Sequence, residues 1–169
     1  MANTYIKIAT VTVGSGGASN IEFTSIPSTY TDLCVKLSVR SARTGYPADD
    51  IIAQFNNVTT GYSSRTIRVS PTSVVSSSTE TIITGFASDA DQTASTFGSA
   101  ELYIPNYAGS TNKSVSFDSV TENNATAAPM EMTAGLWSNT AAITSIKFTL
   151  SVSTFVQYST ATLYGISKS

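Results

Sequence analysis

The chain has 169 residues, of which only 12% are charged, a formal net charge of −2, and nine Lys and Arg residues spread along its length. A nucleic-acid binder needs clustered cations against phosphates, so this composition argues against one. Counting gives 27 Ser, 26 Thr and no His. Because Thr suits the exposed side of strands, the composition favours an all-β protein with weakly charged surfaces.

The length suits one domain with a substantial core, so we expect residues 1–169 to form a single domain with a very short N-terminal arm. The first residues lack the basic segment and apolar run of a secretory signal. No apolar stretch approaches the roughly 20 residues that span a bilayer. We therefore expect a soluble protein without a membrane partner. Cys34 is the single cysteine, which excludes an intramolecular disulfide and a cysteine zinc cluster.

Residues 4–13 form the first predicted strand, and its apolar residues change sides across Ala9 and Thr10, which predicts a bulge. Residues 14–17 contain three glycines and predict a turn. The segment that follows is a predicted strand and not a helix N-terminus, so the turn lacks the arrangement of a phosphate-binding loop.

Residues 18–43 predict a strand, a corner at Ile26 and Pro27, and a second strand, because proline lacks an N–H and pushes the residue before it out of the ladder. The second strand alternates strictly: Leu33, Val35, Leu37 and Val39 lie on one side, and Cys34, Lys36, Ser38 and Arg40 on the other. A strand with one apolar side needs a second sheet to cover it.

The middle of the chain alternates short strands with polar loops. Asp49 and Asp50 end a loop rich in turn formers, and we expect both to be solvated, since adjacent residues point opposite ways and no third metal ligand is near. An exposed loop is expected at residues 88–93, and its Asp-x-Asp lacks the other features of a calcium loop. Strands are predicted at residues 51–55, 65–69 and 81–86, and a loop or an edge strand at residues 71–80.

The last third of the chain contains another clear alternation. Residues 143–152 place Ile146, Phe148, Leu150 and Val152 on one face. Trp137 has two interpretations, a core or sheet-edge anchor, which its bulk favours, and a binding platform. About eleven short strands without a helical period predict a two-sheet antiparallel sandwich, with a jelly roll as the preferred topology.

Few residues are suited to catalysis. Without histidine the usual serine-hydrolase triad is excluded. The lysines lie on polar sides of predicted strands or beside turns, where none is expected to be neutral. No spacing singles out a pair of carboxylates for glycoside hydrolysis. We therefore predict no catalytic residue, no cofactor and no metal site, and a binding or structural role.

Several runs carry a resemblance: IEFTSIP (21–27), YTDL (30–33), AQFNN (53–57) with Tyr62, AELYIPNY (100–107) and ATLYGI (161–166). They resemble small structural proteins encoded by tailed bacteriophages, including cyanophages, over most of the chain from about residue 5 to 167. The resemblance implies a virion component of jelly-roll type without an active site. Members of that family are placed as head decoration proteins or as tail-associated proteins.

The first hypothesis is a capsid decoration or cement protein on the capsid surface, which binds and stabilises the shell of major capsid protein. A compact chain without a coiled coil, β-helix or collagen-like shaft favours it. The candidate capsid contacts are the arginines Arg40, Arg43, Arg65 and Arg68, and we expect charge reversal there to weaken attachment.

The alternative is the receptor- or glycan-binding head of a tail fibre or spike. Its candidate glycan contacts are loop residues, namely Tyr46, Tyr62, Asn106 and Tyr107. The third interpretation is an enzyme that hydrolyses glycans. Either structural role predicts that copies of the chain assemble by symmetry, and the resemblance favours a trimer.

Overall fold

The computed structural model describes residues 4–70, 73–79, 83–122 and 128–167. These residues form twelve strands and no helix. In chain order the strands are β1 (Tyr5–Thr12), β2 (Asn20–Phe23), β3 (Asp32–Val39), β4 (Ala48–Phe55), β5 (Tyr62–Ser70), β6 (Ser73–Thr79), β7 (Ile83–Ser88), β8 (Gly98–Ile104), β9 (Lys113–Val120), β10 (Met130–Trp137), β11 (Ile146–Leu150) and β12 (Thr160–Ile166).

The strands form two antiparallel sheets. The large sheet has the order β1-β12-β3-β8-β9-β10-β5-β6, and the small sheet has the order β2-β11-β4-β7. The prediction of an all-β, two-sheet antiparallel sandwich is therefore confirmed, with one strand more than the eleven expected. The jelly-roll topology stays a prediction.

The core lies between the sheets. The ring centroids of Phe117 on β9 and Phe148 on β11 are 6.2 Å apart, and those of Phe55 on β4 and Trp137 on β10 are 5.6 Å apart, so aromatic pairs join the two layers. Trp137 is fully buried, which confirms its interpretation as a core anchor. The predicted inward row of β3 is also confirmed, since Leu33, Val35, Leu37 and Val39 are all buried.

The bulge expected in the first strand is present. The pairing of β1 with β12 shifts register between Lys7 and Ala9. The glycine-rich segment makes the predicted turn, in which the N–H of Gly17 donates to the carbonyl of Gly14 at 3.1 Å. The run expected to be a loop or an edge strand contains β6, which pairs with β5 alone among the described strands.

The loop expected to be exposed at residues 88–93 instead begins inside β7, and Ser88, Asp89 and Gln92 are buried. Two further expectations, both about strand ends, are wrong. The predicted loop before residue 51 already belongs to β4, and Asp49 is fully buried there. The predicted strand over residues 143–152 is only five residues long, from Ile146 to Leu150, and Val152 is 66% exposed in the connection that follows. Both errors concern strand ends, where tertiary hydrogen bonds decide how far pairing extends.

Because neighbouring strands are antiparallel, all odd-numbered strands finish at the same end of the sandwich. That end contains Arg40, directly after β3, and is called the Arg40 end. The even-numbered strands finish at the opposite end, which contains Tyr107 after β8 and is called the Tyr107 end.

Candidate functional site: the outer face of the large sheet

The large sheet has one face toward the core and one away from it, here called the outer face. Successive side chains of a strand alternate between the two faces. On β9, β10 and β5 the exposed side chains belong to one alternate set. That set consists of Ser114, Ser116, Asp118 and Val120; Met130, Met132 and Ala134; and Arg65 and Ile67.

Apolar side chains cluster on this face toward the Arg40 end. Val120 pairs with Met130, Met130 with Val69, and Val69 with Val74, so the four lie in one row across four strands. In the next row Met132 pairs with Ile67. These six residues are called the apolar corner. Ile67 is 55%, Met132 54% and Val74 70% exposed, whereas the solvated face of an antiparallel sheet is normally polar.

The inward side chains beneath the apolar corner are polar. Glu131, between the two methionines of β10, is fully buried, and its Oε1 accepts hydrogen bonds from Thr84 at 2.7 Å and Thr133 at 3.0 Å. Its Oε2 pairs with Nε of Arg68, whose Nη2 is 3.2 Å from Oδ1 of Asp50. Burial raises the pKa of Asp50, whereas the positive charge of Arg68 acts to lower it.

The hydrophobic pattern of β5 and β10 is therefore inverted at this end, with polar residues inside and apolar residues outside. The orientation of β10 is set at its other end, where Trp137 must face the core. Because side chains alternate along a strand, Glu131 then also faces inward, and Met130 and Met132 face outward. Exposing apolar side chains to water and burying charged ones are both less favourable than burying the apolar side chains and exposing the charges. The inversion is thus not explained by stability.

A trough of about 820 Å³ lies beside the apolar corner on the same face. Its lining combines apolar groups with many hydroxyls and two opposite charges, Asp118 and Arg65. Tyr103 and Pro105 contribute to the lining from the β8 side, and Ser76 and Ser78 from β6. The trough can therefore offer both hydrogen-bonding groups and an apolar surface to a ligand.

Tyr103 has a fixed position in this trough. Its hydroxyl donates to Oδ2 of Asp32 at 2.7 Å. This hydrogen bond, together with burial and the Asp32 charge, raises the pKa of Tyr103 to about 12. The phenol is thus neutral at physiological pH and keeps its proton, which it shares with Asp32 only as a hydrogen-bond donor.

Arg40, one of the four predicted capsid contacts, is 8% exposed. Its guanidinium donates to four backbone carbonyls of the loop between β7 and β8, namely Thr93 and Thr96 at 2.8 Å and Ala90 and Gln92 at 3.0 Å. The side chain holds this loop against the end of β3. The alternation pattern had placed it on the polar side of the strand.

Arg43 and Arg68 also have partners within the chain. The guanidinium of Arg43 lies 3.9 Å from the ring centroid of Tyr46, and its Nη1 is 3.7 Å from Oδ1 of Asp49. Arg68 bridges two carboxylates, as described above. Arg65 differs, because it is exposed on the outer face beside the trough. A capsid contact stays a prediction for all four, and the structure does not bring them together at one site.

The four candidate glycan contacts are also separated. Tyr46 is 60% exposed at the Arg40 end, whereas Asn106 is exposed at the Tyr107 end, one strand length or roughly 25 Å away. Tyr62 is buried and stacks on Trp137 at 6.2 Å, and its hydroxyl donates to the carbonyl of Val58 at 3.1 Å. Tyr107 is fully buried, with its hydroxyl donating to the carbonyl of Pro27. No common glycan site follows from these four.

Sequence reasoning missed the buried ionisable residues. Asp49 accepts hydrogen bonds from Ser41 and Ser151, each at 2.8 Å, and so links connections far apart in sequence. Lys113, expected beside a turn, is buried and donates to the carbonyl of Gly109 at 2.8 Å and to that of Thr111. Burial lowers the pKa of Lys113. No local pattern in the sequence marks either residue, since the partners come from folding.

Among the described residues, no three His, Cys, Asp or Glu side chains come close enough to hold a metal ion. Within the same residues, no helix is long and apolar enough to span a bilayer. No protein-family model, curated protein or solved structure matches the chain.

Proposed function

We propose that the chain is a non-enzymatic structural protein of a bacteriophage virion, a decoration or cement protein that docks on the major capsid shell through its outer face. The observation that carries the docking role is the inverted pattern of β5 and β10, which exposes Met132 and Ile67 over the buried carboxylate of Glu131 and its partner Arg68. An exposed apolar cluster on an otherwise polar surface favours contact with another protein. The sequence resemblance supports the choice of particle.

The apolar corner suits contact with a shell because its backbone is already ordered in a sheet. Its members lie on paired strands, so docking needs little ordering of backbone. Burial of the half-exposed Ile67 and Met132 would contribute on the order of 1 kcal/mol each. Such contacts are weak singly, and several chains attached together would bind with the avidity that a cement role requires.

The strand order supports the jelly-roll expectation. The small sheet has β2, β11, β4 and β7 side by side, and the large sheet has β3 and β8 on one side of the β9–β10 hairpin and β5 and β6 on the other. If that hairpin is regarded as an insertion, and β1 and β12 as an addition at the β3 side of the large sheet, the other eight strands have the alternation between sheets of two Greek keys wound together. The insertion supplies half of the apolar corner.

The test is co-sedimentation of the purified protein with capsids that lack it. We expect the double variant Ile67→Thr and Met132→Ser to lose at least about tenfold in affinity, since two central contacts disappear. Val152→Ser is the matched control, because Val152 is an aliphatic side chain that is 66% exposed but lies off the sheet. Unchanged binding of the double variant would overturn docking through this face.

The position on the particle needs a separate measurement. Gold-labelled antibodies against the protein, with its copy number relative to the major capsid protein, distinguish the two hypotheses. Label over the head at hundreds of copies is expected for a decoration protein. Label confined to the tail at a few copies would contradict it.

The trough favours a second candidate, the glycan-binding role. Sugar rings present apolar faces and hydroxyls together, and the trough offers Ala134 and Met132 beside Asp118 and Arg65. Under this second proposal a glycan would bind on the sheet and not at the tyrosine loops. We expect Asp118→Asn with Arg65→Gln to abolish any glycan-array signal, because both charged groups line the trough. A signal that survives the double variant would exclude the trough.

A further inference from the structure

A sheet edge exposes unpaired N–H and C=O groups, and natural proteins protect such edges with charges, bulges, short strands or covering chain. The sandwich has four edge strands, β1 and β6 in the large sheet and β2 and β7 in the small sheet. Three of the four are protected in these ways, whereas the described residues provide no such protection at β6.

The protection differs at each of the three edges. β1 has its bulge between Lys7 and Ala9 and carries the Lys7 charge. β2 is only four residues long and contains Glu22. All six residues of β7 are buried, and the N–H of Phe86 donates to Oγ of Ser119 at 2.8 Å.

β6 has none of these features. It is seven residues long, SVVSSST, without a charge, a proline or a glycine. Its pairing with β5 runs in unbroken register from Ser64 and Thr79 to Ser70 and Ser73. Residues 73–78 are all exposed, and no other described strand pairs with β6. An uncharged, regular edge strand of this kind is a template for pairing with another strand.

We propose that β6 pairs antiparallel with β6 of a second copy, which joins two large sheets into one continuous sheet. A two-fold axis at Ser76, the fourth of seven residues, places Val74 opposite Ser78 and Val75 opposite Ser77. The strand meets itself without like charges. A charged extended segment from another protein would find no opposite charge on β6.

This dimer has a consequence for the outer face. A two-fold axis perpendicular to the joined sheet keeps both outer faces on the same side. Two apolar corners would therefore meet one partner surface together, which increases avidity without a new contact. The proposal does not require the capsid role, because the pairing of β6 depends on the chain alone.

The experiment is the molar mass of the purified chain by light scattering and its dissociation constant by analytical ultracentrifugation. We expect a species of twice 17.7 kDa. Ser76→Lys should weaken it at least about tenfold, because the two-fold axis brings the two lysines together and lysine opposes edge pairing. Ser38→Lys is the matched control, an exposed serine in a central strand of the same sheet, and should leave the dimer unchanged.

Hydrogen exchange of the β6 amides gives an independent measurement, since their protection should rise with protein concentration. A chain that stays monomeric at about 0.1 mM, far above the constant expected of a specific dimer, would overturn the proposal. So would a dimer that Ser76→Lys and Ser38→Lys leave equally intact. A dimer lost on substitution of Ile67 and Met132 but kept by Ser76→Lys would show that the apolar corner is the self-association surface instead.

Discussion

Replacement of Arg40 by glutamine should destabilise the whole domain, although arginine is ordinarily a surface residue. The guanidinium donates four hydrogen bonds of 2.8 to 3.0 Å to the carbonyls of one loop. A hydrogen bond that involves a charged group contributes about 1.5–3 kcal/mol, and glutamine can replace only one or two of the four. Some of the loop carbonyls can form hydrogen bonds with water instead. We therefore expect the free energy of unfolding to fall by about 3–5 kcal/mol.

The loss can be measured as thermal unfolding followed by the fluorescence of Trp137, the only tryptophan and a fully buried one. For a domain of this size each kcal/mol lowers Tm by about 2–4 °C, so Arg40→Gln should lower it by roughly 6–20 °C. Arg65→Gln is the control, because an exposed side chain should change stability by less than about 0.5 kcal/mol. Equal Tm values for the two variants would refute the structural role of Arg40.

This outcome also decides how capsid attachment is tested. Charge reversal at Arg40 would remove a loop anchor, so lost attachment there would not identify a contact. Arg65 is exposed beside the trough, without an ion pair among the described residues, and its reversal tests the contact alone.

Further predictions concern buried positions. A Cβ on Gly165 would lie 2.3 Å from the ring of Tyr30, so Gly165→Ala should lower the free energy of urea unfolding by about 1–3 kcal/mol. Gly14 has nothing within 4 Å of such a Cβ, so Gly14→Ala should be neutral or slightly stabilising. Equal urea midpoints for the two variants would contradict this. Burial raises the pKa of Cys34 from 9.0 to about 11. The unfolded thiol therefore loses its proton first, and stability should fall between pH 9 and 11 with a contribution of up to about 1.4 kcal/mol per pH unit. Cys34→Ala should remove that contribution, and an unchanged slope would count against it. Glu131→Gln should cost about 2–3 kcal/mol, because it leaves the paired guanidinium without its buried carboxylate. An unfolding midpoint equal to that of the unsubstituted chain would disprove the pair's importance.

The sequence predicted those features that depend on alternation alone. The inward row of β3, the bulge of β1 and the two-sheet sandwich all follow from period-two patterning and turn residues. It did not predict the burial of Arg40 or Asp49, because their partners lie far away in the chain. Ser151, for example, is 102 residues from Asp49. Local sequence contains no information about such partners until the strand order is known.

The apolar corner could not be recognised from sequence for a related reason. A strand reading M-E-M-T would normally be oriented with Met130 and Met132 in the core and Glu131 in water. Which side of β10 faces the core is instead set by Trp137, at the end of the strand. Ile67 and Val120 come to lie beside the methionines only because the strand order is β9-β10-β5. A conflict between local pattern and global packing is typical of positions selected for something other than stability. The residues that violate the strand pattern are thus the ones most worth substituting first in a search for this protein's partner.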